Sequence, residues 1–251
     1  MKVYFVGAGP GDPELLTIKA QRLLCAAKCC IYAGSLVSDQ VLALLPENCE
    51  KHDSAAMSLN ETIAIMQSCQ ERFLDVVRLH TGEPALFGAI AEQMRELEKC
   101  QITFEVIPGI SSFQAAAAAI QTELTAPDIA QTVILSRIAG RTPVPPEQEL
   151  EHLAATRSTL CLFLSVHQIV KMTRTLIPYY GATCPIAVVY RASWPDQVVV
   201  EGTLTDIVDQ VKQAGITRTA MILVGPALRR QGGRSKLYDE TFSHGYRKSQ
   251  S

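Results

Sequence analysis

The feature that most constrains this chain is the alternation running through its first 120 residues. Short β-branched runs give way repeatedly to longer segments of helical period. "KVYFVG" (2–7) reads as a strand, and in "ELLTIKAQRLLCAA" (14–27) Leu15, Ile18, Leu23, Leu24 and Ala27 make a helical stripe. "KCCIYAG" (28–34) is a second strand, followed by the helix-like "SDQVLALL", which stops at Pro46. "SLNETIAIMQSCQER" (58–72) opens with Ser58 and Glu61 at capping-box spacing before Ile63, Ile65 and Met66. Then come "DVVRLHTG" (strand), "AIAEQMRELEKC" (helix), "TFEVIPG" (strand) and "SSFQAAAAAIQ" (helix). Strand–helix alternation at this spacing predicts a parallel sheet covered by helices on both faces.

Beyond "TAPD" (125–128) the pattern changes. "QTVILSRIAG" reads as a strand leading into "RTPVPPEQE", where three prolines within four residues forbid regular structure. "TLCLFLSV", "PIAVVYRAS", "QVVVEGTL" and "TAMILVG" are four more strands, with helices predicted at "HQIVKMTRTLI" and "LTDIVDQVKQAG". "YRASWPDQVVVEGTL" joins two strands with no helix between them, so this second sheet is expected to be mixed. The predicted organisation is an N-terminal α/β domain over 1–116, a C-terminal α/β domain over 117–230 and a flexible basic tail over 231–251.

Composition narrows the partners. The net charge of −2 is too small to argue for nucleic acid, and it is unevenly placed. Six basic residues stand against two acidic ones from Arg229 onward, leaving 17 basic and 23 acidic before it. No run approaches the ~18 apolar residues of a membrane span. The start "MKVYFVGAGPGD" carries no signal-peptide cleavage pattern, and its apolar run is only a strand long. The eight cysteines lie mostly in apolar segments with no CxxC pair, and they read as reduced core residues of a cytoplasmic protein. Cys25 and Cys29 fall near one another in sequence, but no histidine completes a set, and no metal site is expected.

The opening turn "GAGPGD" (7–12) invites a dinucleotide reading that its register rejects. A GxGxxG pattern from Gly7 meets Asp12 at its sixth position, and one from Gly9 meets Glu14. The second strand ends "IYAGSLVS", with no acid before Asp39 to hold a ribose. Yet three further glycine-bearing turns follow predicted strands: "YAGSLVS", "HTGEPALFG" and "IPGISSF". Such turns gather on the carboxyl rim of a parallel sheet, where ligands of open α/β sheets bind. Four of them predict a ligand site without naming the ligand.

"GAGPGDPELLT", "TGEPALFGA" and "IPGISS" resemble the S-adenosylmethionine-dependent tetrapyrrole methyltransferases that build the corrin ring, over residues 1–228. "YAGSLV", "QTVILSRIAGRTPVP" and "YRASWPDQ" are similar to the branch that methylates carbon 11 of precorrin-4. The resemblance implies two α/β domains with S-adenosylmethionine between them, a homodimer, a tetrapyrrole substrate, and neither nucleic acid nor membrane as partner. It also implies cofactor contacts at Pro10, at Thr81, Gly82, Glu83 and Leu86, at Ser111 and Ser112, and at Leu164 and Ala192. Two departures stand out. The uroporphyrinogen methyltransferases read "YDRLVS" where this chain has "YAGSLVS", so Ala33 replaces an aspartate, and Glu83 stands where the family commonly carries Asp.

A precorrin bears many carboxylates, which call for forked guanidinium donors. Arg137, Arg141 and Arg191, at strand ends or in the proline-rich loop, are the expected anchors, with Ser35 near the reacting edge. No residue is assigned a catalytic role, because an electron-rich ring carbon needs orientation more than a base. His80 reads as a structural histidine and His167 as the start of a helix. Trp194 reads as an interface plug, with stacking on the macrocycle as the alternative. Two other functions fit the same turns: methylation at another precorrin position or of a protein side chain, and a non-enzymatic nucleotide-binding module.

Overall fold

The computed structural model describes residues 1–229, 235, 240–243 and 245–248, and for Ser35 the backbone alone. The expected tail over 231–251 lies largely outside the described residues. The chain divides into two compact units, one formed by Met1–Ala115 with Arg191–Gln197, the other by Ala116–Tyr190 with Val198–Ser251.

The first unit holds a five-stranded sheet of β1 (Lys2–Gly7), β2 (Cys29–Tyr32), β3 (Glu50–Asp53), β4 (Val76–His80) and β5 (Thr103–Ile107) in the order β3-β2-β4-β1-β5. Every pair is parallel, as the alternation predicts. The strand absent from the sequence reading is β3. Its "EKHD" has no β-branched residue, and it is an exposed edge paired only with β2, so neither propensity nor alternation marks it.

Helices cover both faces. On one side α1 (Ile18–Cys25) and α2 (Asp39–Leu42) pack Ala20, Leu24 and Val41 against Val6, Val77, Leu79 and Ile107. On the other, α3 (Leu59–Glu71) and α4 (Ile90–Lys99) pack Ile63, Met66, Ile90 and Leu97 against Val3, Phe5, Ile31 and Val76. The predicted capping box forms at α3: Glu61 N–H donates to Ser58 Oγ, and Ser58 N–H donates to Glu61 Oε2 at 2.7 Å. The stripe predicted for α1 is corrected. Thr17 caps the helix, accepting from Ala20 N–H, so Pro13–Leu15 becomes a separate 3₁₀ turn. The buried face is Ala20, Leu24 and Ala27, and Ile18 is 87% exposed.

The second unit holds β6 (Val133–Arg137), β7 (Thr159–Phe163), β8 (Pro185–Tyr190), β9 (Val198–Thr203) and β10 (Ala220–Val224) in the order β6-β7-β10-β8-β9. Only β6 and β7 run parallel, so the sheet is mixed, as expected where two strands join without a helix. With α5 (Ser112–Ala119) spanning the division between units, α6 (Leu150–Ala154), α7 (Ile169–Tyr180) and α8 (Ile207–Gln213) complete the elements. Met172, Leu176 and Ile207 close one core with Leu160, Leu162, Ile186, Val188, Ile222 and Val224. Among the described residues, no helix is long and apolar enough to cross a membrane.

Candidate functional site

The turns that follow β1, β4 and β5 are neighbours on the carboxyl edge of the parallel sheet, because β1 lies between β4 and β5. They interlock through their backbones. Gly82 N–H donates to Gly9 O at 2.9 Å and Gly9 N–H returns to Gly82 O at 3.3 Å, while Ala8 N–H donates to His80 O. A Cβ on Gly7 would lie 2.6 Å from Gly82 O and from Gly109 Cα, and one on Gly109 would overlap Gly82 O. Glycine is required at these two positions by close approach of three chain segments, whereas Gly82 and Gly9 are required by φ angles of 64° and 67°.

Side chains complete the lattice. Glu83 accepts twice, from Ala85 N–H at 2.9 Å through Oε1 and from Gly109 N–H at 2.8 Å through Oε2. One carboxylate therefore shapes its own turn and ties it to the turn after β5. The Thr81 hydroxyl donates to Leu36 O at 2.9 Å, which brings in the "YAGSLVS" turn. Ser111 is buried, and its N–H donates to Gln114 Oε1, the reach-back half of a capping box at the start of α5. Phe87 and Ala89 adopt φ of 56° and 50°, a rare conformation for side-chain-bearing residues that marks the "GEPALFGA" turn as held by its surroundings.

The first turn is held from a distant part of the chain. Trp194 Nε1–H donates to Pro10 O at 2.7 Å, Asp12 N–H donates to Ser193 Oγ at 3.1 Å, and the Ser38 hydroxyl donates to Gly11 O at 2.6 Å. Trp194, which the sequence suggested as a plug or a stacking surface, is thus a hydrogen-bond donor to a glycine turn. Its neighbour Ala192 is 5% exposed. Arg191 pairs with Asp196 at 2.5 Å and lies 3.7 Å from the centre of the Trp194 ring.

Two cationic-type side chains are buried beneath these turns on β4. Arg78 donates to Gln93 Oε1, Ile31 O and Ser54 Oγ, joining α4 to the ends of β2 and β3, and burial lowers its pKa to about 10. His80 is 5% exposed, its Nε2 has no hydrogen-bond partner, and burial together with the Arg78 charge pushes its pKa down to about 3. A neutral imidazole here is structural and cannot serve as an acid near neutrality.

The remaining candidates belong to the second unit. Arg137 donates to Thr142 O at 3.0 Å and Pro143 O at 2.6 Å, so it pins the proline-rich loop that carries the exposed Arg141. Leu164 is 67% exposed with φ of 53°, a strained and solvent-facing leucine at the end of β7. His167 lies in a 3₁₀ turn (Val166–Gln168) that runs into α7. The Ser35 side chain lies outside the described residues. Among the described residues, one group could offer three metal ligands: Cys29, Glu50 and Cys69. Its carboxylate is already engaged by both terminal nitrogens of Arg72, which also reaches Cys69 Sγ at 3.3 Å. Burial raises the Cys29 thiol further, so this group does not favour a cation. Sequence spacing could not find it, since Cys69 is brought to Cys29 only by the packing of α3.

Residues 2–208 match the family described as Tetrapyrrole (Corrin/Porphyrin) Methylases. The chain is 49% identical to the cobalt-precorrin-4 C(11)-methyltransferase of Methanocaldococcus jannaschii, over 99% of this chain and 96% of that one. It is 44% identical to the precorrin-4 C(11)-methyltransferase of Pseudomonas aeruginosa, over 98% and 99%. Among solved structures, the cobalamin biosynthetic enzyme cobalt precorrin-4 methyltransferase superposes with a TM-score of 0.88 at 44% identity, covering 90% of this chain and 95% of that one. A uroporphyrin-III C-methyltransferase from Thermus thermophilus, complexed with S-adenosyl homocysteine, superposes at 0.77 with 29% identity, over 93% and 96%. Likeness from end to end, in sequence and in fold, places the interlocked glycine turns in a known setting: the chain belongs to the tetrapyrrole (corrin/porphyrin) methylases.

Proposed function

We propose that this chain transfers the methyl group of S-adenosylmethionine to carbon 11 of precorrin-4, or of its cobalt complex. The observation that carries this reading is the agreement of full-length relatives at 44–49% identity, all named for carbon 11. Ala33 supports it from the other side, because the chain lacks the aspartate seen at this turn in the uroporphyrinogen methyltransferases.

The turns suit an adenosyl donor. Gly7 and Gly109 let the turns pack on one another, Gly82 has room beside its backbone with nothing closer than 3.7 Å to a Cβ there, and α5 opens directly after the third turn. When bound, the donor would supply a sulfonium methyl, whose transfer to carbon leaves a neutral thioether and passes the positive charge to the macrocycle, which sheds it with a proton. The protein's part is to orient: the Thr81 hydroxyl and the Glu83 carboxylate are committed to holding turns together and are not free for proton transfer. Collinear positioning by itself supplies roughly 7–11 kcal/mol of a barrier of this kind. Pro10, Thr81, Gly82, Glu83, Leu86, Ser111, Ser112, Leu164 and Ala192 are the proposed donor contacts. Arg141 and Arg191 are the proposed carboxylate anchors of the tetrapyrrole, Arg191 exchanging its exposed partner Asp196 for a ligand carboxylate, with Arg137 acting on the Arg141 loop and Ser35 near the reacting edge. The proposed domains are residues 1–116 and 117–230, both contributing donor contacts, in a cytoplasmic homodimer.

The test is incubation of the full chain with methyl-labelled donor and each precorrin, in air and without oxygen. Label at carbon 11 by NMR is the expected result. Label at another ring position, or on no tetrapyrrole while donor still binds, would overturn the assignment.

A further inference from the structure

Three consecutive residues of the first glycine turn are gripped by side chains from two other segments. Pro10 O accepts from Trp194 Nε1–H, Gly11 O accepts from the Ser38 hydroxyl, and Asp12 N–H donates to Ser193 Oγ. Proline has no N–H, so its carbonyl is the one backbone polar group at that position, and Pro10 is buried. Without the indole that carbonyl would be left unsatisfied. A Cβ on Gly11 would overlap Cδ1 and Nε1 of the same ring, so Gly11 and Trp194 fit only each other. The ring is itself fixed, since Arg191 stacks on it and is held by Asp196. A displaced Pro10–Gly11 unit would in turn strain Gly9, whose two hydrogen bonds align Gly82.

We propose that Trp194 is a positioning residue for the methyl donor. Its hydrogen bond to Pro10 and its ring over Gly11 set the first turn in the conformation that receives the donor. This inference rests on the donor assignment made above. The residue acts through the turn and takes no part in the chemistry. Donor affinity therefore depends on it and tetrapyrrole affinity does not.

The chain contains one tryptophan, so its emission reports this turn alone. S-adenosylhomocysteine titrated into the full-length protein should change the fluorescence and release heat with the same midpoint. Trp194→Phe keeps a ring and deletes the N–H donor. It should weaken S-adenosylhomocysteine roughly three- to tenfold in calorimetry, with the acceptor KM within about twofold and the melting temperature within a few degrees. Gly11→Ala, which pushes the ring aside, should shift the emission without ligand and weaken the donor by about tenfold or more. Trp194→Phe binding S-adenosylhomocysteine as tightly as the wild type would overturn the inference, as would heat without a fluorescence change. A merely structural role would lower the melting temperature and leave donor affinity alone. No heat in the wild type would overturn the donor assignment and this inference with it, whereas heat that both variants retain would overturn this inference alone.

Discussion

Glu83 and Gly109 are joined across two turns by a 2.8 Å hydrogen bond from the glycine N–H to the carboxylate Oε2, while Oε1 of the same side chain accepts from Ala85 N–H. One carboxylate thus spans its own turn and the next and braces them together. Glu83→Ala should leave two N–H groups without their partner. The expected loss is about 1–3 kcal/mol in urea denaturation, at the lower end because the group is only half-buried. Glu83→Gln should recover part of it, having one oxygen acceptor. Equal stability of all three proteins would show that the brace carries no load.

Gly82 and Gly109 should respond differently to a methyl group. At Gly82 a Cβ would meet nothing closer than 3.7 Å, so Gly82→Ala is opposed only by its φ of 64°, at a cost of about 1 kcal/mol. At Gly109 the same methyl would overlap the Gly82 carbonyl oxygen, a backbone atom that cannot yield. Gly109→Ala should therefore melt well below Gly82→Ala. Gly82→Val, β-branched at positive φ, should abolish S-adenosylhomocysteine binding while circular dichroism still reports a folded chain. The reverse ranking of the two alanine variants would contradict the structure at this rim.

Arg141→Ala should raise the tetrapyrrole KM roughly ten- to hundredfold, the scale of one charge-assisted contact, and leave donor affinity unchanged. Arg137→Ala should act in the same direction for a different reason. It releases Thr142 O and Pro143 O, so limited proteolysis should cut the 138–145 loop faster in that variant and not in Arg141→Ala. Loss of donor binding in Arg141→Ala would remove it from the acceptor's contacts.

His80 gives a pH dependence with a definite sign. Its folded pKa of about 3 lies below the ordinary 6.5, so between these values the unfolded chain binds a proton that the folded chain refuses. Its contribution is fully present above pH 6.5 and is lost progressively as the pH falls toward 3. At about 1.4 kcal/mol per pH unit, the wild type should lose about 2 kcal/mol more than His80→Leu between pH 7 and 5. Parallel stability curves for the two proteins would refute the buried, neutral imidazole.

The sequence by itself determined the two sheets and their directions. Parallel or mixed topology follows from what lies between strands, and a helix or its absence is visible in the hydrophobic period. It also determined the capping box at Ser58 and the four glycine turns, since each depends on residues close in the chain, whereas "RTPVPPEQE", read as irregular throughout, forms a 3₁₀ turn at Pro146–Gln148. The tertiary structure decided everything that depends on a partner far away. Nothing near Gly11 in sequence announces the indole of Trp194, and nothing near Glu83 announces Gly109. The edge strand β3 likewise exists because β2 offers it a backbone ladder, not because "EKHD" prefers to be extended. Arg137 and Arg191 looked like free anchors because sequence shows charge but not what already holds it. Local preferences act over a few residues and leave a periodic trace. Hydrogen bonds and exclusion between residues brought together by the fold leave none, and here they decide how the site is built.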